Sequence, residues 1–229
     1  MKIDLSLSDL LFPPVCFGCN TRISAGMLCD QCIQSLEFLD DVCPRCGAYE
    51  QETSCRNCQE NDYHFDRARS VFRFNKIIKS LIHDLKYNEM KKVASFLGEM
   101  SVNFLQKFQP FEQVDLIVPI PLHRVKKRSR GYNQSQLLSL EIAGRMNWLH
   151  KPDLIKRSRF TETQTKLGKT EREKNVREAF VLNSKHRLAG SNILIIDDVF
   201  TTGSTVNSVS ALLKQNGAAK IYVLTIARA

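Results

Sequence analysis

The sequence predicts an α/β protein with a parallel sheet, preceded by a small cysteine-rich, metal-binding module. Stretches of strand and helix character alternate from about residue 67 to residue 226, a pattern typical of a parallel sheet with helices on both faces. All eight cysteines lie between Cys16 and Cys58, and the 171 residues that follow have none. We therefore expect two domains, over residues 1–60 and 61–229.

The cysteines form four C-x-x-C pairs, separated by 9, 10 and 8 residues. Pairs at this spacing are typical of zinc ligands, and eight thiolates make two four-cysteine sites, as in a double zinc ribbon. A disulfide scaffold would need an oxidising compartment, and a redox pair would not need four tandem copies. We predict two structural Zn²⁺ ions; whether the pairs combine sequentially or crossed stays open. The predicted ligands are Cys16, Cys19, Cys29, Cys32, Cys43, Cys46, Cys55 and Cys58.

In the second domain, apolar periodicity separates strands from helices. The predicted strands cover residues 67–74, 114–120, 179–182, 193–196 and 221–226. The predicted helices cover residues 76–87, 89–107, 134–148 and 205–216, with a basic loop at 124–130 and a flexible hydrophilic loop at 154–178. There is no run of 18 apolar residues and no signal-peptide pattern, so we expect no membrane span and a cytoplasmic protein.

The most informative segment begins with the apolar run Ile193–Ile196, which ends in Asp197 and Asp198. A short hydroxyl-rich loop follows, and a helix start offers N–H donors that hold a phosphate well. The two carboxylates would repel that phosphate, so they must serve a neighbouring sugar diol or metal ion. Phosphate and diol together describe ribose 5-phosphate. Alternatively, the acids merely end a strand and a hydroxyl caps the helix. The loop residues are Thr201, Thr202, Gly203, Ser204 and Thr205.

This segment resembles the motif that binds 5-phosphoribosyl 1-pyrophosphate (PRPP) in type I phosphoribosyltransferases, which have a Rossmann-like parallel sheet. The resemblance implies that Asp197 and Asp198 are catalytic and hold the ribose, that residues 201–205 hold the 5-phosphate, and that Mg²⁺ accompanies PRPP. It also implies that a second strand–loop–helix holds pyrophosphate, near Leu122 and Arg130. Alternatively, Arg130 only braces that loop.

Over essentially its full length, the chain resembles the ComF/GntX family, in which a double zinc ribbon precedes a phosphoribosyltransferase domain. The resemblance implies a role in natural competence and in the use of external single-stranded DNA, but it supplies no acceptor substrate. The landmarks are Leu85-Lys86-Tyr87, Val118-Pro119-Ile120-Pro121, Arg130-Gly131-Tyr132-Asn133-Gln134, Thr163-Gln164, Asn175, Ala179-Phe180 and Asp197 through Thr205.

Charge is divided unevenly along the chain. Residues 1–58 carry four basic and eight acidic residues, a net charge of −4, whereas the remainder carries 29 basic and 16 acidic residues, a net charge of +13. Direct DNA contact by the zinc module is therefore disfavoured, and a docked protein partner is a better expectation for it. The basic surface attracts pyrophosphate and nucleic acid alike, and a charge run is often simply solvated. Candidates for contact with single-stranded DNA are Arg124, Lys126, Lys127 and Arg128.

Three functions follow from these observations. The chain is an active phosphoribosyltransferase with an unknown acceptor, a protein that binds PRPP, a nucleotide or single-stranded DNA, or a zinc-dependent adaptor. We favour a DNA-uptake protein with a ligand-competent phosphoribosyltransferase domain, and turnover stays open.

Overall fold

The computed structural model describes residues 14–49, 55–87, 90–158, 179–183, 188 and 190–229. Its centre is a five-stranded sheet, in which every neighbouring pair is parallel. A separate antiparallel pair of short strands lies beside it. The sheet, in spatial order, consists of β1 (Arg67–Arg73), β7 (Lys220–Arg228), β6 (Asn192–Phe200), β2 (Leu116–Pro119) and β3 (Leu149–His150), and the pair consists of β4 (Ile155–Arg157) and β5 (Phe180–Leu182).

Seven helices are found within the described ranges, two of them in the cysteine-rich module. They are α1 (Asp30–Gln34), α2 (Arg56–Glu60), α3 (Lys76–Tyr87), α4 (Met90–Phe108), α5 (Arg124–Arg130), α6 (Gln134–Met146) and α7 (Ser204–Gln215). In these ranges, no helix is both long enough and apolar enough to cross a bilayer.

The two faces of the sheet carry separate hydrophobic cores because successive strand residues point to opposite faces. On β6, Leu194 and Ile196 pack with apolar residues of α3, α4 and α6, whereas Ile193 and Ile195 pack with α7. The central strands are therefore buried on both sides, as their nearly continuous apolar sequence predicts.

The cysteine-rich module is built into both cores. Cys16 and Cys32 belong to the first core, and Cys46 belongs to the second. Between the two halves of the module, the chain runs along β1, the outer strand: the N–H of Leu39 donates to the carbonyl of Val71 at 3.0 Å. The module thereby covers a sheet edge that would otherwise present unpaired backbone groups.

Four predictions differ from the structure. Residues 124–130 form helix α5 rather than a loop, because Nδ1 of His123 caps the N–H of Val125 at 3.2 Å and Gly131 ends the helix at φ 82°. Helix α6 ends at Met146, before Asn147 at φ 55°, and leaves room for β3. Phe74, expected to be buried, is exposed. The proposed loop at 154–178 begins as strand β4, and its residues from 159 onward, including Thr163, Gln164 and Arg172, lie outside the described residues.

Candidate functional site

The eight cysteines form two clusters of four. Cys16, Cys19, Cys29 and Cys32 make the first, and Cys43, Cys46, Cys55 and Cys58 make the second, with the Sγ atoms of each within 4.8 Å of one another. The C-x-x-C pairs therefore combine sequentially, which resolves the choice that the sequence left open.

The sulfur geometry of both clusters fits zinc. Sγ atoms lie 3.7 Å apart between Cys19 and Cys29, 3.7 Å between Cys43 and Cys58, and 3.5 Å between Cys46 and Cys55. A tetrahedral ion with Zn–S bonds of about 2.3 Å places its ligands about 3.8 Å apart. Each cluster is thus close to the arrangement that a structural Zn²⁺ would require.

The thiols of each cluster differ in pKa: hydrogen bonds lower the pKa of Cys16, Cys19 and Cys43, whereas burial raises the pKa of other members. Burial raises the pKa of Cys32 to about 12 and the pKa of Cys46 and Cys58 to about 11. In Cys16 and Cys43, backbone N–H donors outweigh burial and lower the pKa to about 6 and about 7. Zinc binding would therefore release protons, so zinc affinity should rise with pH.

A cleft of about 190 Å³ lies at the carboxyl ends of β2 and β6. Parallel α/β sheets bind ligands at this edge, where loops connect strands to helices. Two acidic and four basic side chains converge there. The cleft is lined by Lys86, Ile120, Pro121, Leu122, Lys126, Arg130, Gln134, Ser135, Arg157, Asp197, Asp198 and Thr205.

The two acids at the end of β6 have different partners. Oδ1 of Asp197 accepts hydrogen bonds from Ser135 Oγ at 3.0 Å and from the N–H of Asp198 at 2.9 Å. Oδ2 of Asp198 lies 2.6 Å from Lys86 Nζ and accepts from Gln134 Nε2 at 3.2 Å. Burial and the neighbouring Asp198 raise the pKa of Asp197 to about 7. Asp197 thus titrates near neutrality, whereas Asp198 forms an ion pair.

The 201–205 loop leaves the first N–H groups of α7 without a side-chain cap. The N-cap is Gly203 at φ 74°, and no side chain caps the helix. The N–H of Ser204 donates a hydrogen bond to Thr202 Oγ1 at 3.4 Å, which is longer than the about 2.7–3.2 Å usual for such a bond. By contrast, Asn133 caps α6. The alternative that Ser204 or Thr205 caps this helix is therefore wrong, and the loop keeps donors that suit a phosphate.

Both predicted pyrophosphate residues belong to the same cleft. Leu122 and Arg130 line the cleft, and Arg130 Nη1 donates to Gln134 Oε1 at 2.6 Å. Asn133 braces the turn by donating to the carbonyl of Ile120 at 2.9 Å. Of the four predicted DNA contacts on α5, Lys126 lines the cleft, whereas Arg124, Lys127 and Arg128 are exposed outside it.

Four cleft residues were not singled out for this site from the sequence: Lys86, Gln134, Ser135 and Arg157. Lys86 follows Leu85, whose carbonyl accepts the Tyr132 hydroxyl at 2.6 Å, and this contact fixes the end of α3 beside the cleft. Arg157 reaches the cleft from β4 and lies over the ring of Phe180 at 5.4 Å. For Lys86 and Gln134 the available signal was the family resemblance of Leu85-Lys86-Tyr87 and Arg130–Gln134, which identified the segments without assigning these roles. Ser135 and Arg157 lie outside those segments.

The substitution Asp197→Asn is expected to stabilise the ligand-free protein at pH 8. The pKa of Asp197 rises from 3.8 to about 7 on folding, so its contribution to stability is complete below pH 3.8 and is lost as pH rises through about 7. Removing the charge should add roughly 2 kcal/mol at pH 8, or about 4–8 °C in Tm, and less at pH 5. Thermal denaturation without divalent cations measures this. Asp115→Asn, at the opposite end of the strands, is the control. An equal change in Tm at pH 5 and pH 8 for Asp197→Asn would contradict the expectation.

Comparisons with known proteins agree with this architecture. A double zinc ribbon domain matches residues 7–59, and a phosphoribosyl transferase domain matches residues 116–229. The chain is 31% identical over 229 residues to the DNA utilization protein YhgH of Escherichia coli (strain K12), covering 96% of this chain and 99% of that protein. It is 29% identical over 222 residues to competence protein F of Haemophilus influenzae, with coverages of 94% and 90%. It is 28% identical over 224 residues to competence protein ComFC of Bacillus subtilis, with coverages of 93% and 84%.

Fold and site together define a phosphoribosyltransferase-fold protein with a double zinc ribbon. The parallel sheet, the acid pair before the helix and the two cysteine clusters are its defining features. With the full-length similarity to the YhgH protein, they place the chain in the ComF/GntX family.

Proposed function

We propose that the cleft binds PRPP with Mg²⁺. The observation that carries this proposal is the convergence of the uncapped α7 terminus, the Asp197–Asp198 pair and four cationic side chains on one cleft. Partial positive charge at the helix start suits the 5-phosphate, while the carboxylates suit hydroxyls or a cation.

The cationic wall suits the pyrophosphate end of the ligand. The wall consists of Lys86, Lys126 and Arg130, which line the cleft together with Leu122 and with Thr205 of the 201–205 loop. Carboxylate oxygens together with ligand phosphates form the ligand set that Mg²⁺ prefers, so Asp197 and Asp198 fit a role in holding the ion. Bound Mg²⁺ would neutralise pyrophosphate charge.

The cellular role that we propose is the use of incoming single-stranded DNA in the cytoplasm. The curated relatives are called competence or DNA utilization proteins. Helix α5 presents Arg124, Lys127 and Arg128 to solvent beside the cleft, where a DNA backbone could lie. We also propose that a protein partner binds the zinc module. The apolar side chains of Val15 and Ile33 are 46% and 45% exposed there, and a partner would bury them.

Titration calorimetry with PRPP tests the ligand proposal. The full zinc-loaded chain should bind PRPP only with Mg²⁺ present, and Asp198→Asn should weaken binding at least tenfold, or about 1.4 kcal/mol. Asp115→Asn, a matched change at the opposite sheet edge, should bind as the unaltered chain does. Equal affinity in both variants, or no binding at all, would overturn the proposal.

Turnover is a separate question with its own assay. In a transfer reaction the bond from the anomeric carbon to pyrophosphate breaks, pyrophosphate leaves with the electron pair, and an acceptor atom bonds to that carbon. The cationic wall would stabilise the leaving group. PRPP-dependent pyrophosphate release that disappears in Asp197→Asn would establish an enzyme. Binding without release, with single-stranded DNA and nucleobases each supplied as the acceptor, would favour a PRPP sensor.

Binding to single-stranded DNA is expected to depend steeply on salt. Each phosphate neutralised contributes a slope of about −0.7 in log K against log [salt], so neutralising Arg124, Lys126, Lys127 and Arg128 should reduce the slope by up to about 3. Fluorescence anisotropy with a labelled oligonucleotide measures this. Lys79→Gln, an exposed change on α3, is the control. A slope that is unchanged in the four-residue variant would rule out α5 as the DNA contact.

A further inference from the structure

A second and larger cavity lies at the same edge of the sheet. Its volume is about 390 Å³, within the range of roughly 300–1,000 Å³ that is typical of small-molecule sites. It lies at the carboxyl ends of β1, β7 and β6, and residues from the second half of the cysteine-rich module also line it. We call it the arginine cavity. Its lining residues include Tyr49, Arg56, Arg73, Thr201 and Arg228.

Three arginines from three separate elements meet in this cavity. Arg56 begins α2, Arg73 ends β1, and Arg228 ends β7. The opposing acidic side chain in the lining is Glu60, whose Oε1 lies 2.7 Å from Arg56 Nε. The side chains of the cavity therefore carry an excess of positive charge, which favours an anionic ligand.

Two of the arginines are held in fixed planes. The guanidinium of Arg228 lies 4.3 Å from the centre of the Phe200 ring, and its Nη1 donates to the carbonyl of Cys46 at 2.9 Å. The guanidinium of Arg73 lies 4.5 Å from the centre of the Tyr49 ring. Such stacking orders the fork of donors that recognises phosphate oxygens.

The aromatic group distinguishes this cavity from a simple anion site. Tyr49 is 50% exposed, although a tyrosine ring usually gains from burial. An exposed ring beside ordered arginines combines a stacking platform for a base with donors for its phosphate, which is how single strands are bound. Thr201, the first residue of the 201–205 loop, borders the cavity, so a strand lying there would also adjoin the PRPP cleft.

We infer that the arginine cavity binds a nucleotide unit of single-stranded DNA. The inference deepens the proposed function, on whose DNA-binding part it rests, and gives the zinc module a direct role. The net acidity of residues 1–58 made such a role unfavourable from the sequence alone. The fold favours such a role locally, because Arg56 of the module lines one cavity with two arginines of the sheet.

Anisotropy with a labelled oligothymidylate and the zinc-loaded full chain tests the inference. Tyr49→Ala and Arg73→Ala should each weaken binding about tenfold, while Arg22→Ala, an exposed arginine in the first half of the module, should not. Tm measurements should show each variant folded, and PRPP calorimetry should show unchanged PRPP affinity. If either variant proves unstable, Tyr49→Leu or Arg73→Gln serves in its place.

The outcomes separate this inference from the PRPP proposal. DNA affinity that depends on Tyr49 supports the arginine cavity even if PRPP fails to bind. DNA affinity that is indifferent to Tyr49 and Arg73, but lost when α5 is neutralised, overturns the inference and leaves the α5 contact standing. PRPP binding without any oligonucleotide binding overturns the inference and leaves the PRPP site intact.

Discussion

Removal of zinc is expected to unfold the whole chain rather than its first 60 residues. The two cysteine clusters contribute side chains to the cores on opposite faces of the sheet: Cys16 and Cys32 to one, Cys46 to the other. Structural zinc contributes roughly 10 kcal/mol or more, which is comparable to the about 5–15 kcal/mol that stabilises a typical domain. Losing either ion should therefore leave little net stability.

Calorimetry with and without a zinc chelator measures this effect. The zinc-loaded chain should give one cooperative transition, which chelation abolishes or shifts far to lower temperature. Cys46→Ser should reproduce the loss with zinc present, because Cys46 is fully buried. Ser24→Ala, an exposed change within the same module, is the control. A phosphoribosyltransferase-domain transition that survives chelation unchanged would contradict the expectation.

The features that could be predicted from the sequence are those determined by residues close together in the chain. The apolar run before Asp197 sets strand β6 without help from other elements, and the loop that follows has its own helix start. The cysteine count and spacing identified all eight members of the two clusters, since the spacing of C-x-x-C depends on zinc geometry alone. Their sequential pairing could not be predicted, because sequential and crossed arrangements share the same spacing.

What the sequence did not reveal depends on contacts between distant segments. Lys86 meets Asp198 only because α3 is packed against the loop before α6, where Tyr132 holds it. The arginine cavity joins Arg56, Arg73 and Arg228, which are dispersed along the chain and belong to no recognisable motif. Helix α5 lacks an apolar stripe, so its hydrophilic sequence reads as a loop, and its ends are set by a single cap and Gly131.

Substituting Gly203 by alanine is expected to abolish most PRPP binding and to destabilise the fold. At φ 74°, an L-residue is strained, and an added Cβ would lie 2.4 Å from Cζ of Phe200. Phe200 cannot easily yield, because it is buried with Tyr63 and Phe65 and lies under Arg228. The loop must move instead, which displaces the N–H donors at the start of α7.

The expected cost has two separable parts. The backbone conformation alone should cost about 1 kcal/mol, and the contact with Phe200 should add roughly 1–3 kcal/mol. Gly131→Ala provides the matched control, because Gly131 also has a positive φ, of 82°, but nothing lies within 4 Å of its added Cβ. In chemical denaturation, the free energy of unfolding of Gly203→Ala should therefore be lower than that of Gly131→Ala by the cost of the contact with Phe200. PRPP affinity should fall at least a hundredfold in Gly203→Ala.

The double variant Phe200→Leu with Gly203→Ala identifies which part disables the site. A leucine has no atom at the position of Cζ, so the close contact is relieved while the backbone strain stays. We expect the double variant to recover part of the PRPP affinity even though Phe200→Leu alone loses packing against Tyr63 and Phe65. Recovery of this kind would show that the ring beneath the loop sets the position of its phosphate donors. The opposite result is no recovery of PRPP affinity, together with a Gly131→Ala variant that is destabilised as much as Gly203→Ala. It would mean that the positive φ alone explains why position 203 requires glycine.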